Sequence, residues 1–266
     1  MPKSSKSEPY INNPFSIASS GFTLLFSLAR GVAIMLVVIS VIGLFSGGWR
    51  TDSPDDTYNT IHNTVASWST AEWSLAIGSI LIIGLAIMML SALFKGVSSY
   101  TSAQIARGNK VEIVTAFRVS FEHLWSYLWL QIIMFVKVVL WSMLFIIPGI
   151  IMAFRYSLAG TAFYDDSKQL RGNAAIKESL RLTKGAWLTT YAANTLFNIL
   201  TLGAISDVVS TAVNAVLYQQ FDKLGDKKPD AHWLSWLTLV LPFALIGIAI
   251  MFTVFIGVII GLSGAS

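Results

Sequence analysis

LWSYLWLQIIMFVKVVLWSMLFIIPGIIMAFRYSLAGTAFYDDSKQLRGNAAIKESLRLTKGAW, residues 124–187, governs how often this chain crosses a membrane. Its apolar run from Leu124 to Ile147 exceeds the roughly 20 residues a helix needs to span hydrocarbon. The run stops at Pro148 and Gly149. Proline removes a helical donor and restricts the residue before it, so this pair ends or kinks a helix. The next apolar piece, Ile150 to Tyr164, is short for a crossing, and charge placement chooses between the readings. Lys168, Arg171, Lys177, Arg181 and Lys184 follow it. A single kinked helix would put all five outside; two crossings joined by a tight turn at Pro148 and Gly149 keep them in the cytoplasm, where basic residues accumulate.

Working outward, the same pattern recurs. The 266 residues are 55% hydrophobic and 12% charged, with a mean hydropathy of +0.66, against about 25% charged in an ordinary soluble domain. A first span is expected from Phe22 to Phe45, uncleaved, after a cytoplasmic tail of residues 1–21. A polar loop, Trp49 to Glu72, holds Arg50 against Asp52, Asp55 and Asp56. A second span runs from Trp73 to Phe94, followed by Lys95, Arg107, Lys110 and Arg118. Leu188 to Phe221 would extend about 50 Å as one helix, too long for one crossing, so a break at Gly203 is expected. A cytoplasmic loop, 222–232, with Lys223, Lys227 and Lys228, precedes an apolar C-terminal span in 233–266. The expected fold is all-α: a polytopic membrane helix bundle with a six-helix core at 22–221 plus a seventh C-terminal helix, seven crossings being preferred to six. Arg50 is then the only lysine or arginine outside, which predicts a plasma-membrane protein with its N-terminus cytoplasmic and its C-terminus outside.

Function is expected in three places. Residues 173–185 read as an amphipathic cytoplasmic helix capped by Asn173 and stopped at Gly185. Lys177, Arg181 and Lys184 share one face, while Ile176, Leu180 and Leu182 supply an apolar side. Such a helix lies along the inner leaflet and contacts anionic lipid, or is a solvated connection obeying the charge rule. The two following helices carry polar stripes, Asn194, Asn198 and Thr201 on one and Asp207, Ser210, Thr211 and Asn214 on the other. These either line a cavity or hydrogen-bond helix to helix. Lys137, Arg155 and Asp207 are the ionisable residues deepest in the spans. An Arg155 to Asp207 pair, or water bridge, is expected from their matched depths, with snorkelling of each as the competing account.

Ile147, Pro148 and Gly149, then Asp165 and Asp166, then Ala175, Ile176, Lys177, Ser179, Leu182, Thr183, Lys184, Gly185 and Trp187 form a pattern. It resembles that of bacterial integral membrane proteins that include the membrane domain attached to some glycerophosphodiester phosphodiesterases. Leu217, Tyr218 and Leu224 resemble the tyrosine-bearing end of that family's sixth helix. The resemblance covers about residues 90 to 225 and implies a six-helix membrane core. The family's phosphodiester chemistry belongs to a separate soluble barrel, for which this chain has no room.

Chemistry is sparsely signalled. Cysteine is absent, excluding disulfides and thiolate metal sites. His62, His123 and His232 lack metal-ligand spacing. Gly261-Leu262-Ser263-Gly264 matches a short serine-protease motif at the chain end, with no histidine after it. The expectation is a non-enzymatic multi-pass membrane protein without catalytic residues, cofactor or metal. Its partners are membrane lipids, anionic at the cytoplasmic face, with membrane proteins or a second copy as further candidates and no nucleic acid. The alternative is a transporter or channel for a small solute or lipid, using a cavity between the helices at 188–202 and 204–221.

Overall fold

The computed structural model describes residues 10–46, 68–201, 203–225 and 228–263. Among these, the chain forms eleven α-helices and no strand. They are α1 Pro14–Leu28, α2 Arg30–Ser46, α3 Thr70–Ala106, α4 Ile113–Glu122, α5 Leu124–Leu144, α6 Ile146–Arg155, α7 Ala159–Phe163, α8 Asn173–Leu182, α9 Trp187–Leu200, α10 Ser206–Leu224 and α11 Trp233–Ser263. Among the described residues three stretches are long and apolar enough to cross a membrane, Thr70–Ala106, Leu124–Leu144 and Ile146–Phe163, and the bent pair Pro14–Leu28 and Arg30–Ile42 would make a fourth if it is one span. The loop expected outside around Arg50 and His62, the N-terminal Lys3 and Lys6, Lys227 and Gly264 lie outside the described residues.

The first expected span takes a different form. Asn13 caps α1 by accepting a hydrogen bond from the Phe15 amide at 2.9 Å, and Pro14 occupies the first helical turn, where its missing N–H costs nothing. Residues 14–21 of the expected N-terminal tail are therefore helix. Ala29 leaves helical geometry (φ −136°, ψ 44°), and the chain turns through 115° into α2. The turn lets α1 bury Ile17, Ala18, Gly21 and Leu25 instead of continuing outward. Gly21 makes this packing possible: a Cβ there would lie 2.5 Å from the Ala212 carbonyl oxygen of α10.

α3 divides into two halves. Ser69 and Glu72 form a reciprocal capping box that starts it. Up to Leu90 most side chains are exposed and apolar, whereas Ala92, Gly96, Val97 and Thr101 to Ala103 are buried in the protein core. That core joins α1, the second half of α3, the first half of α5, and α7 to α10, around Tyr127, Phe163, Tyr218 and Phe221. The first turns of α2 pack beside it, Val32, Ala33 and Leu36 lying against Val97, Val208 and Ala212.

The turn expected at Pro148 and Gly149 lies three residues earlier. Phe145 is extended (φ −159°, ψ 144°), and Pro148 sits in the first turn of α6. Gly149 returns against α5, where an added Cβ would stand 2.1 Å from Ser142 Oγ. In one continuous helix those two positions would be about 10 Å apart. The chain therefore folds back as a helical hairpin. Gly203 does break the 188–221 stretch, with φ +77°. The helices on either side differ from membrane crossings, however: α9 is 14 residues, about 21 Å, and α10 carries Asp207, Asn214, Gln219, Gln220, Asp222 and Lys223.

Candidate functional site

An ionic network ties the ends of four segments together. Arg107, at the end of α3, pairs with Asp165 and, at 3.1 Å, with Asp222 of α10. Lys168 stands 2.6 Å from both Glu178 of α8 and Asp222. Arg181 reaches Glu178 at 2.7 Å, one helical turn away. Asp165 is buried and also accepts from the Tyr218 hydroxyl at 2.6 Å and the Ser167 hydroxyl at 2.7 Å. Burial opposes its charge, but hydrogen bonds from Arg107, Ser167 and Tyr218 outweigh burial and hold the carboxyl down to about 2. For Glu178 the hydrogen bond from Arg181 leads; burial opposes it, Lys168 adds to it, and the carboxyl again falls to about 2. Both acids are charged and fully partnered, which suits clamping better than proton transfer.

A pocket of about 370 Å³ with a mixed polar and apolar lining opens between α3, α5, α6 and α10. Lys95 and Asp207 reach it, with Ser98, Ser99, Gln131, Ser210 and Asn214 as neutral donors and acceptors and Met134, Phe135 and Val138 as an apolar wall. Its floor is rigid. Ser99 bonds Tyr127 at 2.8 Å, Gln131 donates to the Tyr127 hydroxyl at 2.8 Å, and Ser98 bonds Thr211 across to α10. Gly160 closes another side, since a Cβ there would meet Ser99 Oγ at 2.4 Å. Among the described residues no ion pair joins Lys95 to Asp207.

The expected site residues are distributed differently from the sequence reading. Arg155 and Asp207 do not pair: the Arg155 guanidinium donates to the Leu180 carbonyl at 3.3 Å, while Asp207 stands in the pocket. Their depths matched along the chain, but α8 intervenes at Arg155. Lys137 donates to Asn173 Oδ1 at 2.8 Å, so the Asn173 side chain serves α5, and Gly172 (φ +51°) occupies the cap position of α8. The apolar side of α8 turns inward: Ala175, Ile176, Ser179 and Leu182 are buried against the protein core, leaving that face closed to a leaflet. Lys177, Arg181 and Lys184 are exposed, although Arg181 is engaged by Glu178.

The polar stripes of α9 and α10 meet at one point. Asn194 Nδ2 donates to Asn214 Oδ1 at 3.4 Å and to the Thr190 carbonyl at 3.0 Å; Asn198 donates to the Asn194 carbonyl at 2.7 Å. Asp207, Ser210 and Asn214 of the expected α10 stripe thus line a pocket, but its other walls come from α3, α5 and α6 and not from α9. Lys95 and Gln131 were not singled out by sequence reasoning. Their signal was available: a lysine closing an apolar helix and a lone glutamine within one. His123 and His232 stay apart, and no cluster of three metal-ligating residues occurs among the described residues. No family model, curated protein or solved structure matches this chain.

Proposed function

We propose that this chain is a non-enzymatic, multi-pass plasma-membrane protein that holds a phospholipid headgroup in the pocket between α3, α5, α6 and α10. The observation that carries this reading is the pocket's mixed lining, one cation and one anion among neutral polar and apolar side chains. Lys95 suits a phosphate and Asp207 a headgroup amine, the hydroxyls and amides of the lining suit the remaining headgroup oxygens, and Met134, Phe135 and Val138 suit the start of an acyl chain. Lysine at the end of an apolar span is also where a phosphate layer is met. The exposed Lys177 and Lys184 add attraction to an anionic surface, about 1 kcal/mol each. The tally of basic residues supports a cytoplasmic position for α8, the ionic network and the N-terminus.

The experiment is mass spectrometry of phospholipid retained through detergent purification. Lys95→Ala and Asp207→Asn should each reduce retained phospholipid severalfold relative to the unaltered chain. The double variant Lys177→Glu, Lys184→Glu should leave it unchanged, because surface-attracted lipid washes away. Full retention by Lys95→Ala would refute the pocket as the lipid site.

A further inference from the structure

The α5–α6 hairpin is bound to α8 at its base and free at its tip. At the base, Lys137 Nζ donates to Asn173 Oδ1 at 2.8 Å on one leg. On the other leg the Arg155 guanidinium donates to the Leu180 carbonyl at 3.3 Å, and Ser179 Oγ donates to the Arg155 carbonyl at 2.7 Å. α8 therefore lies across both legs at one level. It carries Lys177, Glu178, Arg181 and, just after it, Lys184, and it is part of the ionic network. A segment so charged cannot rest in the middle of the hydrocarbon. The polar boundary of the membrane accordingly passes near Lys137 and Arg155.

A second marker agrees. Lys95 shares the pocket with Val138 and Ala153, next to Lys137 and Arg155 on the two legs. The exposed apolar half of α3 that precedes it, Trp73 to Phe94, contains no charge; at about 1.5 Å per residue it extends about 33 Å, a full crossing. Beyond the same level the hairpin is far shorter, although α5 as a whole has 21 residues. Lys137 to Phe145 is eight residues, about 12 Å, against about 30 Å of hydrocarbon.

The tip is built for hydrocarbon all the same. Met143, Phe145, Ile146 and Ile147 are each at least 71% exposed, and no charge occurs between Val138 and Phe154. The backbone at the turn leaves few unpaired donors, as lipid requires. The Phe145 amide donates to the Trp141 carbonyl at 3.2 Å and the Gly149 amide to the Phe145 carbonyl at 3.3 Å. Pro148, in the first turn of α6, has no N–H where a helix start would leave one unsatisfied.

We infer that the α5–α6 hairpin is a re-entrant wedge: it enters the leaflet on the α8 side, is surrounded by that leaflet's acyl chains, and turns back before the far surface. Its base supplies Met134, Phe135 and Val138 to the pocket wall, so the leaflet it enters is the one from which a lipid reaches the pocket. The wedge itself stands on the hairpin's dimensions and does not depend on what the pocket binds.

The absence of native cysteine makes the test direct. Single variants Phe145→Cys, Ala71→Cys and Lys177→Cys of the full chain are reconstituted in phospholipid vesicles and treated with a membrane-impermeant maleimide added outside, then inside. Lys177→Cys should label from one face, Ala71→Cys from the opposite face, and Phe145→Cys from neither until detergent is added. Met143→Cys, at an equally exposed position, repeats the measurement should the turn variant fold poorly. Labelling of the tip from the Ala71 face would establish a full crossing, and labelling from the Lys177 face would establish a tip in water; either overturns the wedge.

Discussion

At the scale of single residues, the core depends on a few close approaches and on one buried acid. Gly21 admits no Cβ without displacing the Ala212 backbone at 2.5 Å. Gly21→Leu should therefore force α1 away from α10 and lower stability by about 1–3 kcal/mol, the usual cost of overpacking; thermal unfolding in detergent reads it. Asp165 is the other critical position. Removing its charge in Asp165→Asn leaves Arg107 with Asp222 as its ion-pair partner and the Ser167 hydroxyl as a neutral acceptor, and replaces the acceptor of the Tyr218 hydroxyl. Breaking a buried pair costs about 3–5 kcal/mol, and because Arg107 is 35% exposed the loss here should be nearer about 2–3 kcal/mol. Tyr218→Phe should cost less, about 1–2 kcal/mol, since it removes one hydrogen bond and keeps the packing. An Asp165→Asn protein as stable as the unaltered chain would mean the network contributes nothing.

At the scale of elements, α8 is where sequence and structure part most clearly. Its amphipathic pattern, its end near Gly185 and its three exposed cations were legible, because helix periodicity fixes which residues share a face. What the pattern could not say is what covers the apolar face, since protein core and lipid demand the same residues there. Ile176 is 1% exposed inside the protein, so Ile176→Ala should cost about 2–4 kcal/mol, as cavity formation does. A leaflet-facing Ile176 would instead show little loss of thermal stability and weaker membrane attraction. The hairpin is a related case. Pro148 and Gly149 correctly marked a reversal, but the turn itself fell at Phe145 because proline is tolerated in the first turn of a helix. The bend at Ala29 went unread although Arg30 and Gly31, a charge and a helix-weakening glycine inside the expected span, follow it directly; burial of α1 against α10 gives the turn its reason.

At the scale of the whole molecule, the all-helical class and the apolar stretches followed from composition, while the partition into a packed core and exposed apolar arms did not. Hydropathy averages along a chain; it cannot register that the second half of α3 and much of α10 bury their side chains against protein, or that Lys168, Glu178 and Asp222 converge from three segments. That convergence has a consequence for the molecule as a unit. The network joins the end of α3, the residues after α7, α8 and the end of α10, so its loss loosens all four together. Asp165 and Glu178 both titrate at about 2 in the folded protein, below the about 3.9 and 4.3 of unfolded chains. A carboxyl whose folded value is depressed stabilises fully above its unfolded value and loses that contribution as pH falls toward the folded one. Stability should thus be level from pH 7 to about 5 and fall progressively between about pH 4 and 2. The measurement is the midpoint of thermal unfolding in detergent across that range, with Asp165→Asn alongside. The variant should start lower and lose less on acidification, because one of the two titrating groups is gone. A midpoint that stays flat to pH 2, or an equal acid loss in the variant, would show that these carboxylates do not hold the four segments together.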